Sequence, residues 1–138
     1  KTLQIRYERS TKTAGLLAEW LEKHPKIDKV IYPGLKSHKD FELSKNMMSG
    51  SGNMVSFVVK GGDGAGRKLM DNTKVASQAI SLGGVESLIS MPYTTTHASW
   101  TQEDRLNAGI DLGFIRFSTG LEDFDDLRDD FEQALSSL

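Results

Sequence analysis

"AISLGGVESLISMPYTTTH", residues 79–97, is the stretch on which the reading of this chain turns. An apolar run stops at Gly83-Gly84, restarts at Val85 and ends in a proline, three threonines and a histidine. Strand interiors rarely carry two glycines, because glycine loses the most backbone entropy on ordering and offers no side chain to pack. Such a pair marks either a bend or a place where a ligand or another backbone comes close. The hydroxyls that follow are turn formers by default.

Outward from this stretch the apolar spacing predicts helices and strands in turn. Leu3, Tyr7, Ala14, Leu17 and Leu21 fall at helical steps, so an opening helix should run to about His24, where Pro25 ends it. "IDKVIY", 27–32, reads as a short strand closed by the Pro33-Gly34 turn. Residues 38–48 read as a helix with Phe41, Leu43, Met47 and Met48 apolar. "NMVSFVVK", 53–60, is apolar on both faces and predicts a central strand. Gly61 to Gly66 should be a turn into a helix over 64–73, followed by a strand over 75–82 and a short extended piece over 86–91.

Downstream, Thr101 with Glu103 and Asp104 marks a capped helix start. "GFIRFS", 113–118, is a strand. The last helix begins in "EDFDD", whose acids Glu122, Asp123, Asp125 and Asp126 suit the positive helix end. Its core stripe is Phe124, Leu127, Phe131, Leu135 and Leu138. The order predicts an α/β two-layer sandwich, a four- or five-stranded sheet with helices mainly on one side. Whether the strands pair parallel or antiparallel is not set by the periodicity.

A length of 138 residues suits one domain with a core of its own, and 38% hydrophobic with 26% charged residues is a globular composition. The net charge of −2 gives no footprint for nucleic acid or an anionic membrane. The absence of cysteine excludes disulfides, thiolate metal sites and a cysteine nucleophile within this chain. No apolar run approaches the ~20 residues of a membrane span and no signal peptide is visible, which is compatible with the cytosol. The chain opens on Lys1 already in a helical period with no cap before it, so we expect a piece of a longer protein.

The glycines of "GGDGAGRK", 61–68, follow a strand and precede a helix, as a phosphate loop would. The spacing is not G-x-G-x-x-G, and Gly66 is followed by Arg67-Lys68 in place of Lys-Ser/Thr, so a plain turn is the better reading. His24, His38 and His97 are far apart, which argues against a metal site. His97 beside Thr96 is expected to make a local hydrogen bond. No G-x-S-x-G elbow is present.

Arg116, within "FIRFS", is the sharpest single residue. Alternation puts it on the face opposite Ile115 and Phe117. A guanidinium there cannot shed its charge and needs a partner. That partner is either an acid of this chain or the carboxylate of a ligand, gripped by the planar fork.

The motifs together resemble the transsulfuration family, the pyridoxal-phosphate enzymes of cysteine and methionine metabolism that include the cystathionine γ-synthases, γ-lyases and β-lyases and the methionine γ-lyases. The resemblance rests on "SLGGVESL" with a following proline, "THAS", "AGI" and "IRFSTGLED". It also rests on "RYERSTKTAGLLAEWLEKHPKIDKVIYPGL" at the start and "MSGSGNMVSF" in the middle, and so covers nearly the whole chain.

The resemblance implies that residues 1–138 are the small C-terminal, substrate-pocket domain of a fold-type I enzyme. The segment matching Ser81, Leu82 and Gly83 would lie at the active site, and Arg116 would bind the α-carboxylate of an amino-acid substrate. Ser81 and Leu82 would line the same place, with Ile80, Gly83 and Thr96 supporting it. The glycines would then allow close approach of a ligand or a neighbouring strand. Some family members carry glutamate where Ile80 stands, and an apolar residue there argues against recognition of a second substrate amino group.

The family's cofactor lysine lies in a preceding domain, so no catalytic residue and no metal ligand is expected in this chain. Pyridoxal 5'-phosphate would be bound mainly by that domain. The whole enzyme would be a cytoplasmic homotetramer, a lyase or transferase eliminating or replacing a β- or γ-substituent. The alternative is a stand-alone binding or assembly module with the same fold and no chemistry.

Overall fold

The helical and strand periods of the sequence sort side chains onto faces, and those faces assemble the fold. The computed structural model describes residues 1–138. Its helices are α1 (Leu3–Lys23), α2 (Phe41–Met47), α3 (Gly62–Asn72), α4 (Gln102–Asn107) and α5 (Phe124–Ser136). Its strands are β1 (Ile27–Ile31), β2 (Met54–Val59), β3 (Ser77–Gln78), β4 (Leu88–Ser90) and β5 (Phe114–Ser118).

The strands form one sheet in the order β1-β2-β5-β4-β3. The pairs β1–β2, β2–β5 and β4–β5 are antiparallel. The pair β3–β4 is parallel, with Ser77 opposite Leu88, and residues 79–87 make the connection. The expected two-layer α/β architecture is present.

One face of the sheet carries Val55, Phe57, Val59, Ile89, Ile115 and Phe117. They pack against Ala14, Leu17 and Leu21 of α1, Leu69 of α3 and Leu127, Phe131 and Leu135 of α5. Phe131 meets Phe57 and Phe117 edge-on, with ring centroids 5.7 and 5.1 Å apart. Burying each such side chain contributes about 1.5–3 kcal/mol, so this face holds the domain together.

Two helix starts are capped as the sequence predicts. Thr101 Oγ1 accepts from the Asp104 amide at 3.1 Å, and Asp123 accepts from the Asp125 amide at 3.0 Å. The Arg9 guanidinium also reaches Asp123, at 3.2 Å. The Asp125 amide first, then Arg9, hold the Asp123 carboxyl below its ordinary value. Just past β1, Tyr32 is buried and donates to the Gly52 carbonyl at 2.9 Å. Burial pushes its phenol up to about 12.

β2 is an interior strand, as expected, paired with β1 on one side and β5 on the other, and β5 stands in the middle of the order. Several expectations are corrected. The turn before α3 is confined to Lys60-Gly61, and Gly62 already starts the helix. The strand expected over 75–82 shrinks to Ser77–Gln78. β3 is the last strand of the sheet, so after Ala79 donates to Ile89 the chain has no further ladder to join and leaves it. The stripe of α1 is buried only from Ala14 onward, and Leu3 is 71% exposed. The apolar residues Leu43, Met47 and Met48 in and beside α2 are exposed as well.

Candidate functional site

On the other face of the sheet β5 presents Arg116, with Ile115 and Phe117 turned into the core, as the alternation predicts. Its cross-strand neighbours are Ser56 on β2 and Ser90 on β4. Directly opposite residues share a face, so two small hydroxyl side chains flank the long arginine. None of the chain's ion pairs includes Arg116. It makes one hydrogen bond, from Nη1 to the carbonyl oxygen of Ile80 at 3.1 Å. A guanidinium carries five N–H donors in a rigid fork. Arg116 therefore holds a full charge and unused donors beside the 79–87 loop.

The loop is bound to β5 a second time. Ser118 lies two residues beyond Arg116 on the same face, and its Oγ accepts from the Gly83 amide at 3.1 Å. Gly83 has φ +72°, and a Cβ there would meet nothing within 4 Å. Crowding by a neighbouring strand, one of the two reasons expected for this glycine, is therefore absent. The left-handed backbone is what requires it. Ile80 and Leu82 are 62% and 58% exposed, and Ser81 is exposed between them. The structure thus brings Arg116, Ile80 and Gly83 together, with Ser81 and Leu82 on the same loop. From Leu88 to Pro92 the chain is buried again.

Thr96 is not joined to this group. Its Oγ1 shares a hydrogen bond with His97 Nδ1 at 2.8 Å, and His97 packs edge-on to Trp100 at 4.6 Å. His97 thus makes the local bond expected of it. Thr94 and Thr95 donate to the Met91 carbonyl and shape the turn at Pro92–Thr94.

Sequence reasoning missed a second cluster. Arg105 of α4 is 4% exposed and pairs with Asp63 at 3.2 Å. Its guanidinium lies 4.2 Å over the Tyr93 ring. Asp63 also accepts from the Gly113 amide at 2.8 Å, just ahead of β5. The carboxylate near the start of α3 is thus a ligand for the chain's own groups. The bond joins residues 42 apart in sequence, and no local spacing announces it. Glu122, read only as an early helix acid, binds Ser87 through both oxygens.

A groove of about 590 Å³ lies elsewhere, lined by β1 at the opposite edge of the sheet and by Glu22, Ser37, His38, Lys39 and Gly109. No group of three or more His, Asp or Glu is placed to hold a metal ion. No helix is long and apolar enough to cross a membrane. Residues 79–97 and 113–120 contain no lysine, so the groups around Arg116 suit a carboxylate and do not fit the carbonyl carbon of pyridoxal phosphate.

Residues 1–136 match the family model described as Cys/Met metabolism PLP-dependent enzyme. L-methionine gamma-lyase of Fusobacterium nucleatum subsp. nucleatum is 46% identical over 138 residues, covering 100% of this chain and 35% of that protein. Cystathionine gamma-lyase of Dictyostelium discoideum is 49% identical over 135 residues, covering 98% of this chain and 35% of that protein. The crystal structure of the cystathione gamma lyase of Micromonospora echinospora superposes with a TM-score of 0.92 at 38% identity, covering 98% of this chain and 35% of that one. The chain thus spans about a third of the length of the relatives it matches.

Proposed function

This chain belongs to the Cys/Met metabolism PLP-dependent enzyme family, and from that premise we propose that residues 1–138 form the C-terminal substrate-pocket domain of a transsulfuration enzyme. The observation that carries the reading is Arg116. It is a guanidinium on the sheet face opposite the core, free of any acid of this chain, beside an exposed loop. Arg116 binds the substrate α-carboxylate through the fork left open by its bond to Ile80. Two-point binding fixes the direction of the Cα–H bond, a positioning role. Ser81 and Leu82 line the pocket, and Gly83 and Ile80 shape its rim. Thr96, bonded to His97, stands apart from this pocket.

Pyridoxal phosphate, when bound, serves as an electron sink for the substrate's Cα. The rest of the enzyme holds it, because the groups around Arg116 offer it no lysine. The whole enzyme eliminates or replaces a β- or γ-substituent on a sulfur-containing or O-acylated amino acid, as a lyase or a transferase. The exposed apolar side chain of Ile80 favours substrates without a second amino group at that end. The cytoplasmic homotetramer implied by the resemblance belongs to the same proposal. The exposed Leu3, Ile5, Leu43 and Met47 supply apolar surface that such an assembly would cover.

A crystal structure of the complete enzyme with an unreactive amino-acid analogue tests the assignment. The analogue's carboxylate is expected within about 3 Å of the Arg116 guanidinium nitrogens. A carboxylate seated elsewhere, with Arg116 still on Ile80 alone, would overturn it.

A further inference from the structure

Glu122 makes no contact with Arg116, yet it holds the far end of the loop that Arg116 faces. We propose that Glu122 is a positioning residue for the substrate-carboxylate site, acting through Ser87 and residues 79–87. The inference rests on the role given above to Arg116.

Both carboxylate oxygens of Glu122 are used. Oε1 accepts from the Ser87 amide at 2.7 Å, and Oε2 accepts from the Ser87 hydroxyl at 2.7 Å. The fully buried Ser87 in turn accepts from the Gly120 amide at 2.9 Å. No lysine or arginine pairs with Glu122. Its charge therefore strengthens these two bonds to neutral donors and serves no ion pair. The neighbouring Leu121 amide donates to the Val85 carbonyl at 2.8 Å. A Cβ on Gly120 would strike the Val85 oxygen and the Glu86 carbonyl carbon, so the two segments touch through bare backbone.

β5 and the turn after it thus grip the loop at Ile80, Gly83, Val85 and Ser87. Between these points the residues are largely exposed and make no core contacts, so the anchors set the loop's shape. Releasing Ser87 lets the loop move relative to the Arg116 fork. A displaced loop weakens the grip on the carboxylate, an interaction that ground state and transition state share.

The test uses the complete enzyme with Glu122→Ala and the near-isosteric Glu122→Gln. Glycine serves as a competitive inhibitor because it carries the carboxylate and no side chain. With Glu122→Ala, the substrate KM and the glycine inhibition constant are both expected to rise about tenfold, the loss of a charge-assisted hydrogen bond. The kcat should stay within about twofold, the pattern of lost uniform binding. Amide exchange over 79–88 should quicken, and Glu122→Gln should fall between the two. Unchanged KM and glycine affinity, with or without faster exchange, would make Glu122 a structural residue only. If Glu122→Ala does not fold, Glu122→Gln decides by the same readouts. If Arg116→Lys also leaves glycine binding untouched, the carboxylate assignment is what fails, not the role of Glu122 in the loop.

Discussion

Arg116 Nη1 donates to the carbonyl oxygen of Ile80 at 3.1 Å, which ties the cation on β5 to the loop it faces. The bond leaves the guanidinium's remaining donors directed by the loop's position. On the proposed role, an arriving carboxylate would be oriented by a group already fixed at one corner.

Arg116→Lys in the complete enzyme keeps the charge and loses the planar fork. The kcat/KM is expected to fall about ten- to a hundredfold, the worth of one or two charged hydrogen bonds. Steady-state kinetics with the natural substrate measures it. A wild-type value would mean that Arg116 serves the loop's backbone and no ligand.

Ile80→Glu places a carboxylate at the rim, on a residue that is 62% exposed. Part of its effect is a lower overall rate, because the new anion competes for Arg116. The ratio of kcat/KM for cystathionine over methionine is nevertheless expected to rise about tenfold, since only cystathionine offers a second ammonium to the new charge. Competition assays with both substrates give the ratio directly. An unchanged ratio would place Ile80 outside the substrate's reach.

Asp63→Ala leaves Arg105 buried without its partner. Breaking a buried ion pair from one side costs about 3–5 kcal/mol. The Gly113 amide also loses its acceptor, which loosens the chain just ahead of β5. Denaturant unfolding is expected to show a loss of this size. A loss below about 1 kcal/mol would place the pair with solvent-screened surface bridges.

Tyr32→Phe removes the hydroxyl that donates to Gly52 and is expected to cost about 1 kcal/mol near neutral pH. The pH dependence has a definite sign. The folded phenol titrates at about 12, against 10.0 for the free group, so folding favours the protonated form. Its contribution is full below pH 10.0 and is lost as pH rises toward 12. The stability difference between wild type and Tyr32→Phe should therefore shrink over that window. A difference that stayed constant to pH 12 would contradict the shifted phenol.

The elements legible in the sequence are those whose periodic residues fill the core. Ala14, Leu17 and Leu21 marked α1; Leu127, Phe131 and Leu135 marked α5; Val55 and Phe57 marked β2; Ile115 and Phe117 marked β5. The facing of Arg116 followed from the same alternation. Ile80 and Leu82 misled, because an apolar pattern reports surface that avoids water without saying what covers it. They read as strand and stand on a loop. Leu3 and Met47 misled in the same way. Arg105 with Asp63, and Glu122 with Ser87, join residues far apart in sequence through the sheet order. Periodicity carries no signal for such pairs, nor for the parallel pairing of β3.

That parallel pair constrains how the enzyme can change. Antiparallel neighbours can be joined by a hairpin of any short length, and an insertion there merely lengthens the tip. Adjacent parallel strands need a return path, usually a helix of a dozen or more residues in all. Here 79–87 returns from Gln78 to Leu88 with no helix, pinned to β5 on the way. A deletion in it would pull Ser77 out of register with Leu88, and an insertion would bow it off Arg116. The loop's length is thus constrained, while exposed positions such as Ile80 and Leu82 are free of the anchors at Gly83 and Ser87. On the proposed role, a change in substrate range along this wall would come by replacement at positions such as Ile80 and Leu82 and not by gaps or insertions.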